Sequence, residues 1–66
     1  MEGCYRNELY PGLLVDIVLK EDQKNGKLTR GRIENILTSK SFHSRGCKVR
    51  LEGSGAIGRI RHTYLD

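Results

Sequence analysis

The sequence predicts an all-β fold, a small closed or nearly closed barrel of about five short strands. Branched apolar residues fall in short runs that alternate with polar residues and lie about 10 to 15 residues apart. Glycines separate these runs, and the Gly-Arg-Ile triplet at 31–33 recurs at 58–60. Because glycine lets a strand bend sharply and lets two backbones approach closely, we expect both triplets at bends of the sheet. Closure also hides strand edges, which favours a barrel in a chain with a thin core.

The chain has 66 residues, which suffices for one domain but leaves no room for a large enzyme cleft. Pro11-Gly12 is a turn signal, so residues 1–10 are predicted to form an N-terminal tail or short segment, and residues 11–66 a single β-barrel domain. No apolar run of membrane-spanning length and no signal-peptide pattern is present. We therefore expect a cytoplasmic protein in which both cysteines are free thiols.

The first strand is predicted at 14–19, where alternate branched residues share one face. The polar segment 20–31 follows, with Asn25-Gly26 at its middle. Asn-Gly suits a tight hairpin turn, but we expect a longer excursion between strands, which only Leu28 could anchor to the core.

Three further strands are predicted, at 32–37, 47–52 and 56–61. Segment 32–37 also matches helical spacing, so a helix is the alternative, but its β-branched residues favour a strand with a bulge near Asn35. Residues 47–52 alternate cleanly, with Cys47 facing inward. The predicted core residues are Val15, Ile17, Ile33, Val49, Leu51 and Ile60.

Several fragments that are weak alone occur together in this chain. They are 18–23, 26–29 followed by Gly31, 36–38, His43 with Gly46, 48–51, and 58–60. In this combination the chain resembles, from Lys20 to Ile60, the YwbE-like family of small uncharacterised proteins. That family is similar in outline to SH3-like barrels of the KOW type, found in ribosomal and transcription-associated proteins, so the resemblance implies an SH3-like barrel rather than a function. The chain departs from the family at Ser44, Cys47 and 54–56, and the resemblance implies no active site.

The basic residues are distributed unevenly along the chain, whose net charge is +4. Residues 24–50 carry eight basic residues and one acid, Glu34, for a charge of +7, whereas residues 1–22 carry a charge of −3. Such asymmetry is typical of a phosphate-binding face if the loops 24–32 and 40–50 meet in space. The alternative is a solvated basic surface without a partner.

The loop 40–46 combines one aromatic residue with flanking cations. Phe42 could stack on a base while Lys40 and Arg45 hold phosphates; alternatively, Phe42 tucks into the core and pins the loop. The predicted nucleic-acid-binding residues are Lys24, Lys27, Arg30, Arg32, Lys40, Phe42, Arg45, Lys48 and Arg50.

Catalytic chemistry is not predicted. Cys4, His43, Cys47 and His62 are zinc-ligand types, but without a Cys-x-x-Cys pair we expect no metal and no cofactor. No nucleophile–base pair can be assembled from the spacing, so we expect no enzyme. The sequence therefore predicts a small module that binds RNA or a ribonucleoprotein through a basic face. The alternative is a protein-interaction module that recognises an acidic partner.

Overall fold

The structure, a computed structural model, describes residues 3–64 and confirms a small all-β barrel. Four antiparallel strands follow one another around the ring, and the last pairs with the first. They are β1 (Leu14–Leu19), β2 (Thr29–Ile36), β3 (Lys48–Leu51) and β4 (Ile57–Tyr64). The predicted count of about five strands is one too high for the described part of the chain, where one further backbone pairing is a single β-bridge between Tyr5 and Phe42.

The barrel interior holds a core cluster of nine buried side chains. All six predicted core residues belong to it, and Cys47 faces inward as expected. Leu9 and Leu13 complete the cluster from outside the strands. Because successive side chains of a strand point to opposite faces, β1 directs Val15 and Ile17 inward and leaves Asp16 and Val18 on the outer face.

The strand boundaries differ from the prediction mainly where polar residues extend a strand. β2 begins at Thr29 rather than residue 32, and β4 continues to Tyr64 rather than ending at residue 61. Segment 32–37 is therefore not a helix. The pairing of β2 with β3 shifts register between Ile33 and Asn35, which confirms an irregularity at the predicted position.

The segment between β1 and β2 is the predicted excursion rather than a tight hairpin. It begins with a single 3₁₀ turn at Lys20–Asp22, and the amide of Gly26 donates to the Asp22 carbonyl at 2.9 Å. Leu28 stays exposed outside the core, so the expectation that it anchors the segment is wrong.

Residues 3–10 form a short segment that packs against the barrel and includes a 3₁₀ turn at Arg6–Glu8. Backbone hydrogen bonds tie it to the loop before β3: Arg6 N–H donates to Ser41 O, His43 N–H to Cys4 O, and Cys47 N–H to Gly3 O. Cys4 is buried in this contact. No helix among residues 3–64 is long and apolar enough to cross a membrane.

Candidate nucleic-acid interface

The outer face of β1, β4 and β3 carries a cluster of cations on an apolar floor. In the sheet register, Arg59 of β4 lies between Val18 of β1 and Lys48 of β3. Directly opposed residues of antiparallel strands share a face, so these three side chains lie on the same side of the sheet. Val18 is only 4% exposed although it faces away from the barrel interior, and it lines two cavities on this face.

Two adjoining cavities above Val18 form a groove. The first, of about 330 Å³, is lined by Val18, Gln23, Ser44, Arg45, Arg59 and Arg61. The second, of about 420 Å³, shares Val18, Gln23 and Arg59 with the first. It is also lined by Lys20, Lys48, Ile57 and Gly58. We call this the basic groove and define it by its cations Lys20, Arg45, Lys48, Arg59 and Arg61. None of the described residues that line the two cavities is acidic, so the groove is a site of positive potential.

The loop before β3 meets the start of the excursion after β1 at this groove, but no residue of the predicted loop 24–32 lines either cavity. Gln23 from the excursion after β1 and Arg45 from the loop before β3 line the same cavity. Of the predicted site residues, Arg45 and Lys48 line the groove, and Arg50 lies two residues beyond Lys48, opposite Ile57.

The other predicted cations lie outside the groove lining. Lys24, Lys27 and Lys40 are exposed on the two loops. Arg32 donates from Nη1 to the Gly12 carbonyl at 2.9 Å, which ties its guanidinium to the barrel itself.

Arg30 forms part of a compact ionic cluster on β1, β2 and β4. Its Nε lies 2.9 Å from Oδ1 of the buried Asp16, and its guanidinium lies 4.6 Å above the ring of Tyr64. The Tyr64 hydroxyl donates to Oδ2 of Asp16 at 2.6 Å. Hydrogen bonds from Arg30, and then from Tyr64, hold the pKa of Asp16 below its ordinary value. Much of the Arg30 charge is therefore compensated within the fold.

Phe42 is 47% exposed, so the alternative in which it tucks into the core is excluded. Its ring contacts Tyr5, with centroids 4.9 Å apart and ring planes inclined at 53°, and the two backbones form the isolated β-bridge. Tyr5 and Phe42 therefore form an aromatic pair on the surface. Phe42 precedes Ser44, a residue of the groove lining, by two positions in the chain. Tyr5 was not among the predicted site residues, because its pairing with Phe42 spans most of the chain.

Comparison with known proteins identifies the family. The profile of the uncharacterized conserved protein family DUF2196 matches residues 2–63. The chain belongs to this family. It is also 61% identical over 59 residues to the uncharacterized protein YwbE of Bacillus subtilis (strain 168), a match that covers 89% of each chain, so the YwbE-like resemblance is confirmed. No solved structure matches.

The thiols and imidazoles of this DUF2196 protein are not arranged as a metal centre in the described residues. Cys4 and Cys47 are buried free thiols, and Cys47 Sγ donates to the Cys4 carbonyl at 3.4 Å. Within residues 3–64, no group of three or more His, Cys, Asp and Glu side chains could hold a metal ion.

Three cations of the groove were missing from the predicted site: Lys20, Arg59 and Arg61. A usable signal existed for two of them. Arg59 and Arg61 flank the buried Ile60, so strict alternation already places both on the outer face of the last strand. Lys20 has no such signal, because its place at the groove depends on the path of the chain after β1.

Proposed function

We propose that this DUF2196 protein binds single-stranded RNA, or an RNA–protein assembly, through the basic groove. The observation that supports it is the convergence of five cations from four segments of the chain around one apolar floor. The side chains of Lys20, Arg45, Lys48 and Arg61 make no hydrogen bond or ion pair with any group in residues 3–64, so their charges are available for phosphates. The protein would act in the cytoplasm as a binding module without catalytic chemistry.

The proposed mechanism is electrostatic. Each phosphate that a cation neutralises releases condensed counterions, which drives binding and makes it depend on salt. Phosphate contacts position a strand but do not read its sequence, so the groove by itself would bind mixed sequences. The aromatic pair would add stacking on unpaired bases, which favours single strands over duplexes.

We also propose that the barrel is SH3-like in its finer class. Its closed ring of four antiparallel strands in chain order, within a single small domain, supports this proposal. The YwbE-like resemblance supports the same class.

Salt dependence tests the proposed function. If the groove contacts about four to six phosphates, log affinity for a mixed-sequence single strand should fall against log salt with a slope of roughly −3 to −4. The double charge reversal Arg45→Glu, Lys48→Glu should lower both affinity and slope for all sequences. The matched control is Lys24→Glu, Lys27→Glu, which changes net charge equally at exposed loop positions outside the groove. Fluorescence anisotropy with labelled RNA measures both quantities.

Two outcomes would contradict the proposal. Equal losses in the groove variant and in the matched control would show that only net charge matters. A folded parent that binds no RNA at about 50 mM salt, where electrostatic attraction is strong, would favour a protein-interaction module that recognises an acidic partner. Each variant must melt at the temperature of the parent before its affinity is compared.

A further inference from the structure

We infer that the turn 43–46, together with Arg59, forms a binding subsite for a single phosphate group. This inference rests on the proposed function and specifies which part of the groove recognises the ligand. The observation is an adjoining cavity of about 200 Å³, lined by His43, Ser44, Arg45 and Arg59, which shares the last three residues with the first cavity of the groove. No carboxylate belongs to this lining in the described residues.

The turn is held rigidly against β4. The amide of Gly46 donates to the His43 carbonyl at 3.1 Å and closes the turn. Gly46 has a φ of 95°, and a Cβ at this position would collide with the Ile60 carbonyl oxygen, so only glycine lets the turn approach β4 this closely. Arg59 donates from Nη1 to the Gly46 carbonyl at 3.0 Å. The turn and Arg59 therefore fix each other in place.

The donors around this cavity match a phosphate group. A guanidinium carries five N–H donors, and Arg59 uses one on Gly46, so others remain for a ligand. Arg45 makes no hydrogen bond or ion pair with any group in residues 3–64. Arginine pairs with phosphate through two parallel hydrogen bonds, and Ser44 adds a hydroxyl donor.

His43 adds a second, independent observation. Its Nε2 is buried and has no hydrogen-bond partner among the described residues. A buried polar atom without a partner is costly and uncommon in folded proteins. A phosphate oxygen in the adjoining cavity would accept a hydrogen bond from this nitrogen after a small movement of the ring.

The phosphate could belong to the backbone of a strand or to its terminus, and both sources share this recognition chemistry. The experiment uses one RNA sequence in three forms, with a 5′-phosphate, a 3′-phosphate or hydroxyl ends, together with inorganic phosphate. The variants are Arg45→Gln and Ser44→Ala, and Lys24→Gln is the matched charge control on an exposed loop.

We expect inorganic phosphate to shift the NMR signals of residues 43–46 and the Arg59 side chain in the full-length protein. Arg45→Gln should lower RNA affinity about tenfold, and Lys24→Gln should lower it clearly less. A loss that is equal for all three RNAs assigns the subsite to a backbone phosphate. A loss confined to one phosphorylated form assigns it to that terminus.

The inference and the proposed function fail in distinguishable ways. If phosphate leaves the turn signals unchanged and Arg45→Gln costs no more than Lys24→Gln, the subsite is wrong even though RNA binds. If phosphate shifts the turn but the parent binds no RNA, the subsite stands and the proposed function is wrong. Thermal melts that match the parent show that Ser44→Ala and Arg45→Gln act on binding rather than on folding.

Discussion

Among residues 3–64, Asp16 is the carboxylate whose ionisation should control acid stability. It is 4% exposed, and hydrogen bonds from Arg30 and then Tyr64 lower its pKa. Because its folded pKa lies below the unfolded value of about 3.9, the charged cluster stabilises the fold above that pH. The contribution is lost as the pH falls through the folded pKa. Asp16→Asn should therefore lower the free energy of unfolding by about 1–3 kcal/mol at pH 7, and the gap to the parent should close at acidic pH.

Thermal melts between pH 7 and pH 2 measure this gap. Tyr64→Phe is the control, because it removes one hydrogen bond to Asp16 while keeping the ring beneath Arg30. Its acid transition should begin at a higher pH than that of the parent, since the pKa of Asp16 is then lowered less. A gap between Asp16→Asn and the parent that stays constant over the whole pH range would contradict the assignment.

Phe42 is the residue at which stacking can be separated from charge. If its ring stacks on a base, Phe42→Ala should weaken RNA binding by about 1–3 kcal/mol with an unchanged salt slope, because no phosphate contact is removed. An RNA of the same length without bases should bind the parent and Phe42→Ala equally. Equal losses on both RNAs would instead point to a shifted loop, and Tyr5→Leu checks whether the partner ring supports Phe42.

At the scale of the elements, the two Gly-Arg-Ile triplets are identical in sequence, but their glycines differ in how closely the neighbouring strand approaches. A Cβ at Gly58 of β4 would collide with the Val18 carbonyl oxygen of β1, which is backbone and cannot move aside. A Cβ at Gly31 of β2 would lie 2.8 Å from Cδ1 of Leu51, the flexible end of a side chain. Gly58→Ala should therefore lower the free energy of unfolding by several kcal/mol and weaken the pairing of β1 with β4. Gly31→Ala should lower the free energy of unfolding by at most about 1–2 kcal/mol.

Urea unfolding of the two glycine variants gives the comparison directly. Each variant is the matched control of the other, because the same methyl group is added in the same local sequence. Equal destabilisation by the two substitutions would contradict the close backbone approach at Gly58.

Strands with an alternating apolar face were predictable, and their polar extensions were not. β1 and β3 lie within the predicted ranges because each alternates between buried and outward residues. The start of β2 was not predicted because Thr29 and Arg30 are polar. They belong to the strand because they pair with Ile17 and Asp16 of β1. Tyr64 of β4 belongs to the sheet for the same reason, through its register with Leu14.

At the scale of the whole molecule, the distribution of charge along the sequence predicted a basic face but not which basic residues form it. Residues 24–50 contain most of the cations, yet the barrel turns Arg30 toward Asp16 and Arg32 toward Gly12. Closure of the ring brings Arg59 and Arg61 beside Arg45 instead. Alternation places Arg59 and Arg61 on the outer face of their strand, but which residues from other segments lie beside them depends on pairings between residues far apart in sequence.

The N-terminal segment offers a test of how the whole molecule is held together. Removing residues 1–8 keeps Leu9 in the core but deletes the partners of the Ser41 carbonyl and of the His43 and Cys47 amides. We expect the free energy of unfolding to fall by about 1–3 kcal/mol, because these hydrogen bonds are worth about 0.5–1.5 kcal/mol each and ordering the segment offsets part of them.

Urea unfolding measures that loss, and hydrogen exchange locates it, since the amides of His43 and Cys47 should lose protection while those of β1 keep it. Arg6→Ala is the control, because it removes the side-chain bond from Nε to the Thr38 carbonyl but keeps the backbone bond to Ser41. An unchanged urea midpoint and unchanged protection at His43 and Cys47 would mean that the segment is a tail. Loosening of the loop would also disturb the turn at Ser44, so the deletion should weaken RNA binding more than Arg6→Ala does.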